Sequence, residues 1–331
     1  LRSIRFTGYF LLKIIKSIYQ HIWVQDYLPI NASSFYYPLI QSNNLRDSIN
    51  CLSKESPILF MPTHRSYADF LLFGYICFHL NLPLPSITAG IDFLGLNQVA
   101  SLLRACGAFF IRRSFKHLDD DLYWQTFRAY IQTQLRGGER PIEFFIEGTR
   151  SRTGKSLFPK TGLLSVALEL FLTSQIPDLI IIPVSISYDK TLEESLYAKE
   201  LHPFIDPSSL GKKPSENTKH LINGAKAILK RDHGSVFISF CEPISLRDLA
   251  VKQDLRFEHT LDSKYDLVKR QSSQELKFIH DLSKLIIARQ QNHLVFSPFT
   301  LVSLSLLLHV YNPENKNQDL IEIPLAMVLE D

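Results

Sequence analysis

Apolar residues along this chain gather in short runs at 57–62, 85–89, 107–112, 142–147, 179–187 and 235–240. Between the runs lie longer stretches, 67–80, 96–106, 119–136, 162–173 and 216–231, in which apolar side chains recur every three or four positions. A short continuous run predicts a strand covered on both faces, and the longer periodic stretches predict amphipathic helices. Strands alternating with helices predict an α/β fold, a largely parallel sheet flanked by helices. No internal repeat or low-complexity tract interrupts the alternation.

The two ends follow different patterns. Over 1–25, Phe10, Ile14 and Ile18 share a helical face among Arg2, Arg5, Lys13 and Lys16. This predicts an N-terminal basic amphipathic helix, lying on a membrane surface or packed on the main domain. Residues 246–290 read as charged helical segments. Residues 294–308 are apolar. They are too short for a bilayer span, which takes about 20 residues, so a packed or monotopic helix is expected. Pro298 would interrupt that helix or begin it. The expected organisation is an N-terminal helical, membrane-associating segment over 1–50, an α/β domain over 51–245, and a C-terminal helical region over 246–331.

Composition narrows the partners more than the fold. The 331 residues suffice for a large core. A net charge of +3 gives no basis for nucleic-acid binding and suits a protein beside an anionic membrane. Cys51, Cys77, Cys106 and Cys241 have no metal-ligand spacing, so no metal site is expected; Cys77 and Cys106 lie in apolar runs and read as buried free thiols. The chain opens on Leu1 without a signal-peptide pattern.

The chemistry begins at His64-Arg65-Ser66-Tyr67-Ala68-Asp69, directly after the run Pro57–Pro62. A histidine at a strand end can reach a crevice. An aspartate one turn into the next helix can hold one ring nitrogen and leave the other to take a proton. That is the orienting half of a Ser-His-Asp triad without a protein nucleophile, suited to a substrate that brings its own hydroxyl. The plainer alternative is a capping box in which Ser66 and Asp69 only start a helix.

Three more blocks lie downstream: Gly107-Ala108-Phe109-Phe110-Ile111-Arg112-Arg113-Ser114, the stretch Phe144–Lys155 containing Glu147-Gly148-Thr149-Arg150-Ser151-Arg152, and Ile181–Asp189. In this order the four blocks resemble the glycerophosphate acyltransferase family, most of all its dihydroxyacetone-phosphate branch, over roughly Pro57 to Pro243. The resemblance implies transfer of an acyl group from acyl-CoA to the hydroxyl of dihydroxyacetone phosphate, with no cofactor because acyl-CoA is itself a substrate. His64 would then be the general base and Asp69 would fix its tautomer. A phosphate calls for cations. Arg150 and Arg152, two apart after a strand, would point the same way in an extended chain, and the resemblance places phosphate binding there. It also includes the Arg112 block in acceptor binding. Only one of Arg112 and Arg113 can face the cleft, and Arg112 is chosen. Gly148 would permit a tight turn or close substrate approach, and Glu147 would hold the arginines by ion pairing.

Pro183, inside a strand, is expected at an edge, a bulge or a strand end, where it could shape the wall of the site. Glycerol 3-phosphate is the rival acceptor, since its phosphate and primary hydroxyl make the same demands. Two other classes remain. Gly148 to Ser156 resembles a nucleotide-binding P-loop with one residue too many between its glycines. The apolar ends would also suit a non-catalytic membrane-binding module. The resemblance implies a peroxisomal membrane location and ether-lipid synthesis, with mitochondrial or ER membranes as alternatives. Members of that branch are larger and this chain has no Ser-Lys-Leu ending, so either its C-terminal part is expected to be missing or its targeting differs.

Overall fold

The computed structural model of the chain describes residues 18–19, 21–25, 37–38, 43–91, 94, 97–105, 107–112, 120–138, 140–201, 233–255 and 272–311. The elements are β1 (His21–Gln25), β2 (Tyr37–Pro38), α1 (Asn43–Glu55), β3 (Ile58–Pro62), α2 (Ala68–His79), β4 (Ser86–Gly90), α3 (Asn97–Ala105), β5 (Ala108–Ile111) and α4 (Asp120–Gly137). They continue with β6 (Ile142–Glu143), α5 (Gly162–Leu172), β7 (Ile180–Tyr188), α6 (Glu194–Leu201), β8 (Ser235–Phe240), β9 (Ile244–Ser245), α7 (Leu246–Lys252), α8 (Ser273–Asn292) and α9 (Pro298–Tyr311). The helix expected over 216–231, residues 1–17 and Cys106 lie outside the described residues.

The strands form one sheet in the order β2-β1-β8-β7-β3-β6-β4-β5, with β9 pairing β7 off this path. From β7 to β5 every neighbour is parallel; β7 is antiparallel to β8, and β1 to β2. This is the α/β, mostly parallel sheet flanked by helices that the pattern predicts. β3 sits at its centre, and all five of its residues are buried. Alternate side chains explain this. Phe60 faces α1 and α2 in a cluster with Ile49, Leu72, Phe73 and Ile76. Leu59 and Met61 face α4, α5 and α8 in a cluster with Ile131, Leu168, Phe278 and Leu282. Buried apolar area contributes about 25 cal/mol per Å², so this two-sided burial fixes β3 more firmly than any edge strand.

Two expectations change, and that for Pro183 narrows. Within the helix expected over 1–25, His21–Gln25 is strand β1, with Val24 buried beside Ile238 of β8. Ile22-Trp23-Val24 is β-branched and aromatic, and pairing with β8 overrides the helical spacing. The strand expected over 142–147 keeps only Ile142–Glu143; Phe144 still donates its N–H to Phe60 O at 3.2 Å, and the chain then turns. Pro183 lies within β7, a central strand, and of its three expected places it takes the bulge: Val184 pairs with Phe240 and Ile181 with Ile244, one residue more on the facing side. Its carbonyl accepts from Cys241 N on the β8–β9 side, where residues 241–243 interrupt the pairing. The missing proline N–H therefore falls where no ladder bond is required.

The chain divides into two compact units, Leu1–His293 and Leu294–Asp331. In the first, the charged segment from 246 resolves into α7 and α8. Ser272 and Glu275 close a capping box at the start of α8, which satisfies two amides of its first turn. Gln290, near the end of α8, donates to Met61 O at 2.7 Å. In the second unit, α9 opens on Pro298, where a missing N–H costs nothing. Phe299 and Leu308 of α9 are largely exposed. No helix among the described residues is long and apolar enough to cross a membrane.

Candidate active site

The parallel arrangement brings the carboxyl ends of β6, β3 and β7 side by side, and the segments after them carry the chemistry. His64 follows β3 by two residues. Its Nδ1 lies 2.8 Å from Asp69 Oδ2. The same oxygen accepts the backbone N–H groups of Arg65 at 2.6 Å and Ser66 at 2.9 Å. Those amides can only donate, which makes Oδ2 a pure acceptor and assigns the imidazole proton to Nδ1. Nε2 is left without a hydrogen-bond partner among the described residues. The imidazole is partly buried and stacks on Phe145, with centroids 3.9 Å apart and planes 16° from parallel.

Asp69 is fully buried in the first turn of α2. Its Oδ1 accepts the Tyr188 hydroxyl at 2.5 Å. Burial and the adjacent Asp69 charge push the Tyr188 phenol well above its ordinary range, so it stays a donor. The two readings of Ser66 and Asp69 therefore combine. Asp69 takes the Ser66 N–H as the distal acid of a capping box does, while Ser66 Oγ accepts from Ala68 N at 3.1 Å. The carboxylate that starts the helix also orients the imidazole.

Glu147 holds a different partner from those expected. Its carboxylate accepts Arg65 Nη1 at 3.0 and 3.1 Å, His64 N at 3.1 Å and Leu157 N at 2.8 Å. Arg65 and Glu147 are both buried, at 5% and 1% exposure. A buried pair of this kind contributes more to a fixed geometry than to net stability. Here it ties the segment after β3 to the segment after β6. Gly148 has φ +66°, and a Cβ there would meet Lys160 Cδ at 2.7 Å. The positive φ is what favours glycine at this turn, since the flexible Lys160 side chain can shift from a Cβ. No helix begins at Ser156, as a P-loop would require; α5 begins at Gly162, and residues 152–155 form bends.

Arg150 is placed by residues remote in sequence. Its Nη1 donates to Glu193 Oε1 at 3.0 Å and to Tyr197 OH at 2.9 Å. Its guanidinium lies 3.3 Å from the Tyr67 ring centroid, a cation–π contact. The next residue, Ser151, donates its N–H to His64 O at 2.9 Å, which ties the Arg150 segment to the His64 segment. Arg152 lies half-buried in the bends beyond; the extended geometry that would aim it alongside Arg150 is absent there. Arg112 follows the edge strand β5, three strands across the sheet from β3. There its N–H donates to Tyr123 OH at 3.0 Å and its guanidinium covers the Tyr123 ring at 4.5 Å. The structure thus joins His64, Asp69, Glu147, Gly148 and Arg150 in one cluster, and places Arg112 after the edge strand β5, against Tyr123 of α4.

Glu193, Tyr188, Tyr197, Tyr67, Phe145 and Arg65 enter this cluster although sequence reasoning gave them no role in it. The four-residue spacing of Glu193 and Tyr197 on a helical stretch was the available signal. Among the described residues no group of three or more His, Cys, Asp or Glu side chains could hold a metal ion.

Comparison with known proteins gives two family matches. Residues 41–187 match the acyltransferase model, and residues 210–320 match the C-terminal region of glycerol-3-phosphate acyltransferases. Dihydroxyacetone phosphate acyltransferase of Oryctolagus cuniculus is 39% identical over 311 residues, 93% of this chain and 41% of the relative. The protein of the same name from Homo sapiens is 38% identical over the same shares. Glycerol-3-phosphate acyltransferase of Pseudomonas fluorescens (strain SBW25) is 38% identical over 212 residues, 64% of this chain and 24% of the relative. The chain thus spans about two-fifths of the length of the dihydroxyacetone phosphate acyltransferases it matches.

Proposed function

We infer that this chain, which belongs to the glycerophosphate acyltransferase family, transfers a long-chain acyl group from acyl-CoA to the free hydroxyl of dihydroxyacetone phosphate. The observation that carries the reading is the 2.8 Å bond from His64 Nδ1 to Asp69, which leaves Nε2 to accept a proton. Nε2 takes the proton of the acceptor hydroxyl as its oxygen attacks the thioester carbonyl. Collapse of the tetrahedral intermediate breaks the C–S bond, and the imidazolium returns the proton to the CoA thiolate. Asp69 and the face of Phe145 both favour the transient imidazolium. A thioester is already activated, so no acyl-enzyme is needed. Arg150, on the segment tied to His64 O by Ser151 N–H, offers Nε and Nη2 to the acceptor phosphate, its Nη1 being taken by Glu193 and Tyr197. Arg152 is the second candidate cation.

The ketone acceptor is favoured by the extent of similarity, since dihydroxyacetone phosphate acyltransferases align with 93% of the chain and a glycerol-3-phosphate acyltransferase with 64%. A membrane surface as partner is supported by the exposed apolar side chains of α9, and a peroxisomal membrane location belongs to the same reading. Palmitoyl-CoA offered with both three-carbon phosphates in competition tests the assignment, with 1-acyl-dihydroxyacetone phosphate expected as the main product. His64→Ala is expected to lose roughly 10²–10⁴-fold in turnover with its fold intact. Near-normal turnover in that variant would reject the mechanism.

A further inference from the structure

We propose that Glu193 is a positioning residue that fixes the acceptor-binding arginine relative to the catalytic base, by joining Arg150 to the amino end of α2. The proposal rests on the reading of Arg150 as the phosphate ligand. Glu193 is 8% exposed and lies more than a hundred residues along the chain from α2. Its Oε2 accepts Ser66 Oγ at 2.8 Å, and its Oε1 accepts both Tyr67 N at 2.7 Å and Arg150 Nη1 at 3.0 Å. One carboxylate thus touches the phosphate-binding arginine and the helix turn that carries Asp69.

Helix capping alone does not explain it. The first turn of α2 already has Ser66 Oγ for Ala68 N and Asp69 for Ser66 N. A carboxylate this buried is costly unless a cation answers it. Arg150 does so, and is held in turn by Tyr197 OH and the Tyr67 face. An arginine free in solution would lose side-chain freedom on binding a ligand; one pinned beforehand does not. The pinned Arg150 keeps its remaining donors in one place relative to the His64 segment, to which Ser151 N–H ties it, so an acceptor phosphate is held in one position relative to the base. Glu193 acts through Arg150 and α2, and not on the substrate.

The test is steady-state kinetics of the full chain with dihydroxyacetone phosphate and palmitoyl-CoA. Glu193→Gln keeps the shape and removes the charge that holds Arg150. It is expected to raise the acceptor KM about tenfold or more while the palmitoyl-CoA KM stays within about twofold. In an Arg150→Ala background the same substitution is expected to add almost nothing. Tyr197→Phe, which removes the other Nη1 partner and the Tyr197 OH bond to Arg65 O at 3.2 Å but keeps Glu193 on Ser66 and Tyr67, is expected to raise the acceptor KM by a smaller factor. It decides the matter if Glu193→Gln does not fold. An unchanged acceptor KM in the folded Glu193 variant, or equal damage to both KM values, would overturn the proposal, as would an unchanged acceptor KM in Tyr197→Phe should that variant have to stand in. Arg150→Ala separates the two readings. If it leaves the acceptor KM unchanged, the phosphate assignment falls and this inference with it; if it raises the KM and Glu193→Gln does not, only the role of Glu193 falls.

Discussion

Replacing Asp69 by asparagine separates the charge of the carboxylate from its geometry. Oδ2 accepts Arg65 N, Ser66 N and His64 Nδ1, whereas Oδ1 accepts, among the described residues, only the Tyr188 hydroxyl. The two backbone amides cannot reverse, so the asparagine carbonyl must occupy the Oδ2 position. Its NH2 then faces Tyr188, whose hydroxyl can rotate to accept. The imidazole keeps its tautomer and orientation, and only the charge behind the imidazolium is lost. A charge-assisted hydrogen bond contributes about 1.5–3 kcal/mol and a neutral one about 0.5–1.5, a difference of about 1–2 kcal/mol. The corresponding ion pair at about 4 Å and an effective dielectric of 20 sets an upper bound of about 4 kcal/mol. Asp69→Asn is therefore expected to retain activity, with kcat down by about 5- to 10³-fold. Asp69→Ala removes the orienting acceptor and strands two buried amides, and falls to the roughly 10⁴-fold loss typical of a misdirected imidazole. Release of CoA thiol under saturating substrates measures both. Equal loss in the two variants would refute the claim that Oδ2 sets the ring; a wild-type rate in Asp69→Asn would refute any use of the charge.

Three further outcomes follow from residues around the site. Glu143 is fully buried, both its carboxyl oxygens lack a hydrogen-bond partner among the described residues, and burial followed by the Asp69 charge raises its pKa well above the ordinary carboxylate range. A raised folded pKa gives stability that is present below the unfolded value of about 4.3 and lost as pH climbs toward the folded value. Urea unfolding at pH 5 and pH 8 should therefore show the stability difference moving in favour of Glu143→Gln at the higher pH, and a difference independent of pH would refute this. Gly148→Ala must hold a side chain at φ +66°. It should destabilise the fold by about 1–2 kcal/mol in the same assay, with Gly148→Asn milder. Cys51 is exposed, while burial pushes the Cys77 thiol well up and that of Cys241 up to about 12. A thiol reagent at mildly alkaline pH should mark Cys51 first and spare the other two, as peptide mass mapping will show.

What the sequence made legible is what sits close along the chain or repeats with a simple period. Buried strands announce themselves as continuous apolar runs because helices cover both faces of the sheet. Five of the six expected strands agree with the structure to within a residue at each end. His64 and Asp69 are five positions apart across a strand end and a helix start, so local geometry alone brings them together. The capping pattern was visible for the same reason, although it could not be told from catalysis, since one carboxylate serves both.

Partner choice was not legible, because sheet order decides it. β6 and β7 flank β3 although they come about 80 and 120 residues later. That order sets Glu147 against Arg65, delivers Glu193 to Arg150 and brings Tyr188 to Asp69. Nothing in the linear pattern says which acid meets which arginine, and the nearest in sequence is not the one that pairs. The same order leaves Arg112 at the far edge of the sheet, although the family resemblance had grouped its block with the acceptor site. Local chemistry was written in the chain; its assembly into a binding surface waited on strands that find each other by burying apolar faces, a force that carries no direction of its own until the whole sheet has closed.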